Sequence, residues 1–200
     1  MKTLILALLL PAGLLAEAGF TALFNGRDME GWEIDTPNIW QARDGMIVGR
    51  SPGLKYNDFL RARKSYSDFI LKLSFRLVDG KGNSGIQFRS RPAVKLHEVS
   101  GYQADIGDKY WGCLYDESRR NKVLAQAAPE SLAHVNKEGW NDYVITARGS
   151  RITLELNGVR TVDYLESDPA IEKTGFIALQ VHGGPPMEVQ FKDIRIQELK

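Results

Sequence analysis

Tyr143-Val144-Ile145-Thr146-Ala147-Arg148-Gly149-Ser150-Arg151-Ile152-Thr153-Leu154-Glu155-Leu156-Asn157-Gly158-Val159-Arg160-Thr161-Val162-Asp163-Tyr164 reads as three strands and two tight turns. Gly149-Ser150 is a two-residue hairpin signal, because glycine reaches the positive φ that a tight β-turn demands. Asn157-Gly158 is a stronger one, and it turns the second strand back into the third. Working outward, Phe69 to Leu77 places Phe69, Leu71, Leu73, Phe75 and Leu77 on one face with period two, the repeat of a half-buried strand. Gly175 to Val181 and Met187 to Gln197 read as two further strands joined through Gly183-Gly184-Pro185-Pro186. Shorter candidates are Trp40–Ala42, Met46–Gly49, Ile86–Arg89, Tyr102–Ile106 and Gly112–Tyr115. Ten or more short strands at this spacing predict an all-β fold, a two-sheet antiparallel β-sandwich. One short helical insertion is expected at Pro129–Val135, with proline at an early helical position.

The chain has 200 residues, of which 43% are hydrophobic and 26% charged, with a formal net charge of +1. That length suits one domain with one core. No basic block tracks a phosphate backbone, so nucleic acid is not an expected partner. Lys2, the apolar run Thr3–Leu10 and the Ala16-Glu17-Ala18 site form the pattern of a signal peptide over residues 1–18. The domain is therefore expected over 19–200, exported to a periplasm or secreted, with no stable membrane insertion after cleavage. Cys113 is the single cysteine, which forbids an intrachain disulfide and reads as a small buried thiol.

On a sandwich, one face of each strand feeds the core and the other meets solvent. Three segments put planar amides and charged groups on alternate positions: Gln87 and Arg89, Gln103 and Asp105, Gln180 and His182. Amides and guanidinium groups form fixed, bidentate hydrogen bonds, which suits hydroxyls and ketones. Tyr102, Tyr110, Trp111 and Tyr115 cluster around Asp105 in the sequence, and sugar C–H faces pack on aromatic rings. Trp32, Trp40 and Trp140 read as core, and Asp116-Glu117 with Arg119-Arg120 as a solvated rim. The Asp105 strand offers no second acid, which argues against a two-carboxylate retaining glycosidase with acids about 5 Å apart. The histidines, His97, His134 and His182, have no short metal-ligand spacing. A phosphate loop and a serine nucleophile elbow are absent.

Leu23-Phe24-Asn25-Gly26-Arg27-Asp28 with Gly31-Trp32, Asn83-Ser84-Gly85-Ile86 leading to Arg89, and Gly101-Tyr102-Gln103-Ala104-Asp105-Ile106 run in a distinctive order. So do Gly112 to Tyr115, Trp140-Asn141, Leu156-Asn157-Gly158, and Gly175 to Gln180 with His182. Together they resemble the 3-keto-disaccharide hydrolase family, also described as 3-keto-glucoside 1,2-lyase/3-keto-2-hydroxy-glucal hydratase. The resemblance spans essentially the whole expected mature chain. Cys113 departs from it, where a small residue such as serine is expected.

That resemblance implies a concanavalin A-like jelly roll and a 3-keto-glycoside substrate. A C3 ketone acidifies the C2 proton, the C1 substituent leaves by β-elimination, and water adds back to the enone. This chemistry needs one base, an enolate stabiliser and a proton donor. The roles it implies are His182 or Asp105 as base or acid and Arg89 at the enediolate oxygen. Gln87, Gln103 and Gln180 would orient hydroxyls, with Asn83, Tyr102, Trp111 and Tyr115 as further substrate contacts. A divalent metal ion bridging the C2 hydroxyl and C3 ketone is an option, with Asp105 and His182 as its candidate ligands. The competing readings are a non-catalytic carbohydrate-binding module of the same fold and an envelope interaction protein with exposed apolar faces.

Overall fold

The computed structural model describes residues 17–200, so the expected export signal falls, but for its last two residues, outside the described residues. Fifteen strands follow in order: β1 Thr21–Ala22, β2 Trp32–Glu33, β3 Trp40–Arg43, β4 Met46–Ser51, β5 Asp58–Tyr66, β6 Phe69–Leu77, β7 Asn83–Pro92 and β8 Val99–Gly107. They continue with β9 Leu114–Glu117, β10 Lys122–Ala125, β11 Asn141–Arg148, β12 Arg151–Leu156, β13 Val159–Leu165, β14 Gly175–Val181 and β15 Met187–Glu198. One sheet runs β13-β12-β11-β6-β15-β4-β3, with β1 pairing the end of β15; the other runs β10-β9-β8-β7-β14-β5-β2. All pairings are antiparallel, as a sandwich of hairpins and crossovers requires.

The opening meander is the edge of the first sheet. Tyr143 faces Leu156 and Arg148 faces Arg151 across the Gly149-Ser150 turn. On β6 Phe69, Leu71, Leu73, Phe75 and Leu77 are buried while the four residues between them are half-exposed, as the period-two pattern predicts. Across the sandwich they meet Ile86, Phe88, Ala104, Ile106 and Leu179 of the second sheet. Phe75 stacks on both Tyr143 and Trp111, with ring centres 5.3 and 6.2 Å away. Trimming such a ring to alanine would cost about 3–5 kcal/mol. Trp111 is thus a core residue, where the sequence suggested a sugar platform.

Three details depart from expectation. β1, β2, β5 and β10 lie outside the expected strands: three of them are only two to four residues long, and in β5 Arg61, Arg63 and Lys64 break up the apolar positions. The strand expected at Gly112–Tyr115 begins instead at Leu114. Gly112 (φ +70°) and Cys113 form a turn whose amide returns to the Asp105 carbonyl at 3.2 Å. The helical insertion is a single 3₁₀ turn at Pro129–Leu132.

Cys113 is free and buried. Desolvation, with Asp105 adding to it, pushes its thiol up to about 12, so the thiolate is not available near neutral pH.

Candidate active site

The outward face of the second sheet is not an ordinary solvated face. Gln87, Gln103, Asp105 and Gln180 are 0%, 2%, 3% and 0% exposed, although their neighbours in sequence are the ones that fill the core. Something must cover or enclose them, since polar groups this deep demand partners. Part of the cover is the Pro92–Val99 connection. Beside it Phe59, Val99 and Ala178 form a small second apolar cluster on this side of the sheet.

Register builds the site. Gly85 pairs with Asp105, and Gln87 with Gln103. Gln103 in turn pairs with Tyr115, and Gly101 with Glu117. Side chains of like parity therefore gather Gln87, Gln103, Asp105, Tyr115 and Glu117 on one patch. Gly85 provides the space: a Cβ there would lie 2.5 Å from Gln103 Cγ, so the Gln103 side chain rests where any other residue would stand.

Hydrogen bonds hold this patch in one arrangement. Ser90 Oγ donates to Gln87 Oε1 at 2.8 Å, and Gln87 Nε2 donates to Gln103 Oε1 at 2.7 Å. This commits the Gln103 oxygen and leaves its amide nitrogen to favour the charged form of the Asp105 carboxyl. From the first sheet, Tyr143 donates its hydroxyl to the Asp105 carbonyl at 2.9 Å. The Asp105 Oδ1 also accepts the Ile106 amide at 3.0 Å.

A cavity of about 150 Å³ opens above this floor, lined by Asn57, Asn83, Gln103, Asp105, Tyr110, Tyr115, Glu117 and His182. A second hollow of about 390 Å³, lined by Lys81, Pro185 and Pro186 among others, shares Asn83 and His182 with it. His182 is exposed on the rim between the two, its Nδ1 against the Gly183 carbonyl at 2.5 Å. Asn57 is fixed by accepting the Gly183 amide at 3.0 Å and donating to Glu98.

Two carboxyls in this cavity hold their protons unusually well. Desolvation pushes Asp105 up to about 8, Gln103 and the Ile106 amide pulling back only in part, and nearby Glu117 and Asp108 raise it further. Desolvation likewise pushes Glu117 up to about 7, with Glu98 adding to it. Among the described residues neither carboxyl has a cation within ion-pair distance.

The sequence-derived candidates separate cleanly. Asn83, Gln103, Asp105, Tyr115 and His182 line the cavity, and Gln87 braces it from behind. Gln180 stands beside Gly85 on the same face but does not line the cavity. Its buried amide has no hydrogen-bond partner among the described residues.

Arg89 is elsewhere. A bulge between Phe88 and Arg91 puts it at φ +47° and turns it toward the Ser67–Asp68 turn. There Nε donates to the Ser67 carbonyl, Nη1 to the Gly149 carbonyl and Nη2 to Asp68, at 2.7, 2.8 and 2.8 Å. Every guanidinium nitrogen is committed, so Arg89 ties the two sheets together and does not reach a substrate.

Tyr102 faces inward, stacked on Phe88, with its hydroxyl on Glu166 at 2.7 Å. The residues that the sequence did not select are Asn57 and Glu117. Glu117 looked like rim because its strand, β9, is four residues long and flanked by charges. Its alternation with Asp116 was the available signal. As for a divalent metal, no group of three or more His, Cys, Asp or Glu among the described residues is placed to hold one. Asp105 and His182 alone do not make a donor set.

The sequence model of the 3-keto-alpha-glucoside-1,2-lyase-like domain matches residues 19–197, nearly the whole chain. The chain belongs to that family. Solved structures agree on the fold. One provisionally assigned as a glycosyl hydrolase, from Parabacteroides distasonis ATCC 8503, superposes with a TM-score of 0.70 at 24% identity, covering 91% of this chain and 94% of that one. The carbohydrate-binding module CBM66 from Bacillus subtilis gives 0.65 at 20% identity, covering 84% and 96%. No curated protein matches the sequence at a significant level. Family membership and fold together make this a carbohydrate-related domain on a jelly-roll sandwich.

Proposed function

We propose that this chain cleaves 3-keto-glycosides by β-elimination across C1–C2 and then hydrates the resulting 2-hydroxy-3-keto-glucal. The observation that carries the reading is a protonatable carboxyl, Asp105, enclosed with fixed amides in a cavity on a chain of this family. In the elimination, a base takes the C2 proton, its electron pair forms the C1=C2 bond, and the C1–O bond breaks. The departing oxygen gains a proton from an acid. Hydration reverses the order, with water adding at C1 and a proton at C2, so the net result is glycoside hydrolysis.

Asp105 supplies one of these proton transfers, its enclosure matching its proton affinity to neutral pH. The amides of Asn57, Asn83 and Gln103, with the Tyr110 and Tyr115 hydroxyls, are the donors available to sugar oxygens and to the developing enediolate. They take over the role that the sequence gave to Arg89. His182 stands at the mouth, where it contacts whatever leaves.

Incubation with a 3-keto-disaccharide, followed by mass spectrometry, tests the reading. Release of the free sugar with transient glucal is expected. Binding without turnover would favour a purely sugar-binding role, which the same sandwich serves in the carbohydrate-binding module above. We infer export as well, from Lys2, the Thr3–Leu10 run and Ala16-Glu17-Ala18. Amino-terminal sequencing of the protein from its native host should begin at Gly19.

A further inference from the structure

Glu117 is the one acidic residue besides Asp105 that lines the cavity. It reaches there from β9 because Tyr115 and Glu117 share a parity, while Asp116 between them points into the sandwich and is fully buried. Its surroundings are those of a working group. Around it lie Glu98, which packs from the covering connection, and Lys95, which is drawn off to Glu98 at 3.1 Å. Asp105, Tyr110, Tyr115 and His182, with Asp108 and Lys81 in the adjoining hollow, complete the ionisable set facing the cavity and its rim.

We propose that Glu117 is the second proton-transfer group of this site, removing the C2 proton while Asp105 protonates the departing C1 oxygen. This rests on the 3-keto-glycoside reading above. The roles follow from depth. Asp105 is almost completely enclosed and senses the charge of Glu117, so of the two it keeps its proton. Glu117 is half-buried, nearer the mouth, and ionises first.

The cycle balances. The Glu117 carboxylate takes the proton from C2, the C2–H electron pair moves onto the C3 ketone oxygen as an enolate, and its return forms the C1=C2 bond as the C1–O pair leaves on oxygen with the Asp105 proton. Glu117 is then protonated and Asp105 ionised. In hydration Asp105 takes a proton from the water that bonds to C1, and Glu117 returns its proton to C2. Both groups end as they began.

The test uses the whole protein with two 3-keto-glucosides, one with a sugar leaving group and one with para-nitrophenolate, which departs without protonation. Each reaction is run in deuterium oxide to follow exchange at C2. Glu117→Gln should lose turnover of both substrates by roughly 10²–10⁴-fold, together with C2 exchange. Asp105→Asn should lose turnover by a similar factor on the sugar leaving group only. It should keep C2 exchange and recover most of its rate on para-nitrophenolate. Glu117→Asp, with a melting temperature near wild type, should restore part of the exchange and exclude a folding defect as the cause.

Wild-type turnover and exchange in Glu117→Gln would overturn the assignment and leave the function standing. Loss of C2 exchange in Asp105→Asn but not in Glu117→Gln would reverse the two roles and overturn it also. A wild-type protein inert toward both substrates would overturn the function, and this assignment with it.

Discussion

Asp116 and Glu117 are neighbours on one short strand, yet they belong to two different worlds. Asp116 points into the sandwich, where Arg119 Nε reaches it at 2.9 Å and Arg120 also pairs with it. Arg120 continues to Glu166 at 2.7 Å, and Glu166 accepts the Tyr102 hydroxyl at 2.7 Å. Desolvation works to raise Glu166, but the hydrogen bonds from Arg120, Tyr102 and the Asp168 amide outweigh it and hold the carboxyl at about 2. One residue along, Glu117 and Asp105 are enclosed with amides and phenols and no cation, and their carboxyls move the other way, to about 7 and about 8. The same side-chain chemistry thus serves as a permanently charged tie in one region and as a proton store in the other. What separates them is whether a guanidinium shares the enclosure.

The difference should be most visible in catalysis. Asp105→Asn is expected to cut turnover of a 3-keto-disaccharide about 10²–10⁴-fold while its urea midpoint at pH 9 stays at or above wild type, which steady-state kinetics and denaturation would measure side by side. Arg120→Ala is the converse experiment. It strands Asp116 and Glu166 without their cation and should cost roughly 3 kcal/mol of stability, with KM unchanged for the folded fraction. If Arg120→Ala instead abolished turnover at full stability, the division of labour drawn here would be wrong.

A subtler break is Gly85→Ala. The new methyl meets Gln103 at its Cγ and Cδ, both within 2.5 Å, and should push the amide off Asp105. We expect about a tenfold loss of kcat/KM, larger than the accompanying change in melting temperature.

The smallest effects lie in the pH dependence of stability. Asp105 rises from its ordinary 3.8 to about 8, so the folded state holds a proton that the unfolded state releases. That contribution is complete below about pH 4 and is lost as pH climbs through 8. Glu166 falls from 4.5 to about 2, so its contribution is present above pH 4.5 and is lost on acidification toward 2. Urea melts across pH 2–9 should show both slopes. Asp105→Asn should reduce the fall between pH 4 and 8, leaving the share that Glu117 contributes, and Glu166→Gln should flatten the acidic slope alone.

Much of the sandwich is legible along the chain. Phe69–Leu77, Arg151–Leu156 and Gly175–Val181 begin and end where alternation and turn residues say they should. β5 escaped because an arginine-rich strand near a sheet edge carries little apolar signal. In the candidate site, Gln103 and Asp105 were readable because solvent-facing positions on a strand rarely carry planar amides and acids together without lysine or threonine. Arg89 misled because a bulge reverses facing without leaving a mark in the residue pattern. Trp111 misled for a related reason: an aromatic residue next to a polar strand packs equally well on a sugar or on Phe75.

By itself, then, the sequence determined most of the strands, their hairpins and, away from the bulges, the parity of their side chains, because these follow from two-residue periodicity and local turn geometry. Which of the polar parities meet across strands was decided only in three dimensions. The register of β8 against β9 sets Glu117 opposite Gly101, on the same face as Gln103 and Asp105 further along β8, so that one cavity takes both acids, and the loop from Ser118 to Asn121 carries Arg119 and Arg120 to the opposite face. A carboxyl acquires its proton affinity from what shares its enclosure, and the contents of an enclosure are a property of packing, not of the residues on either side in the chain.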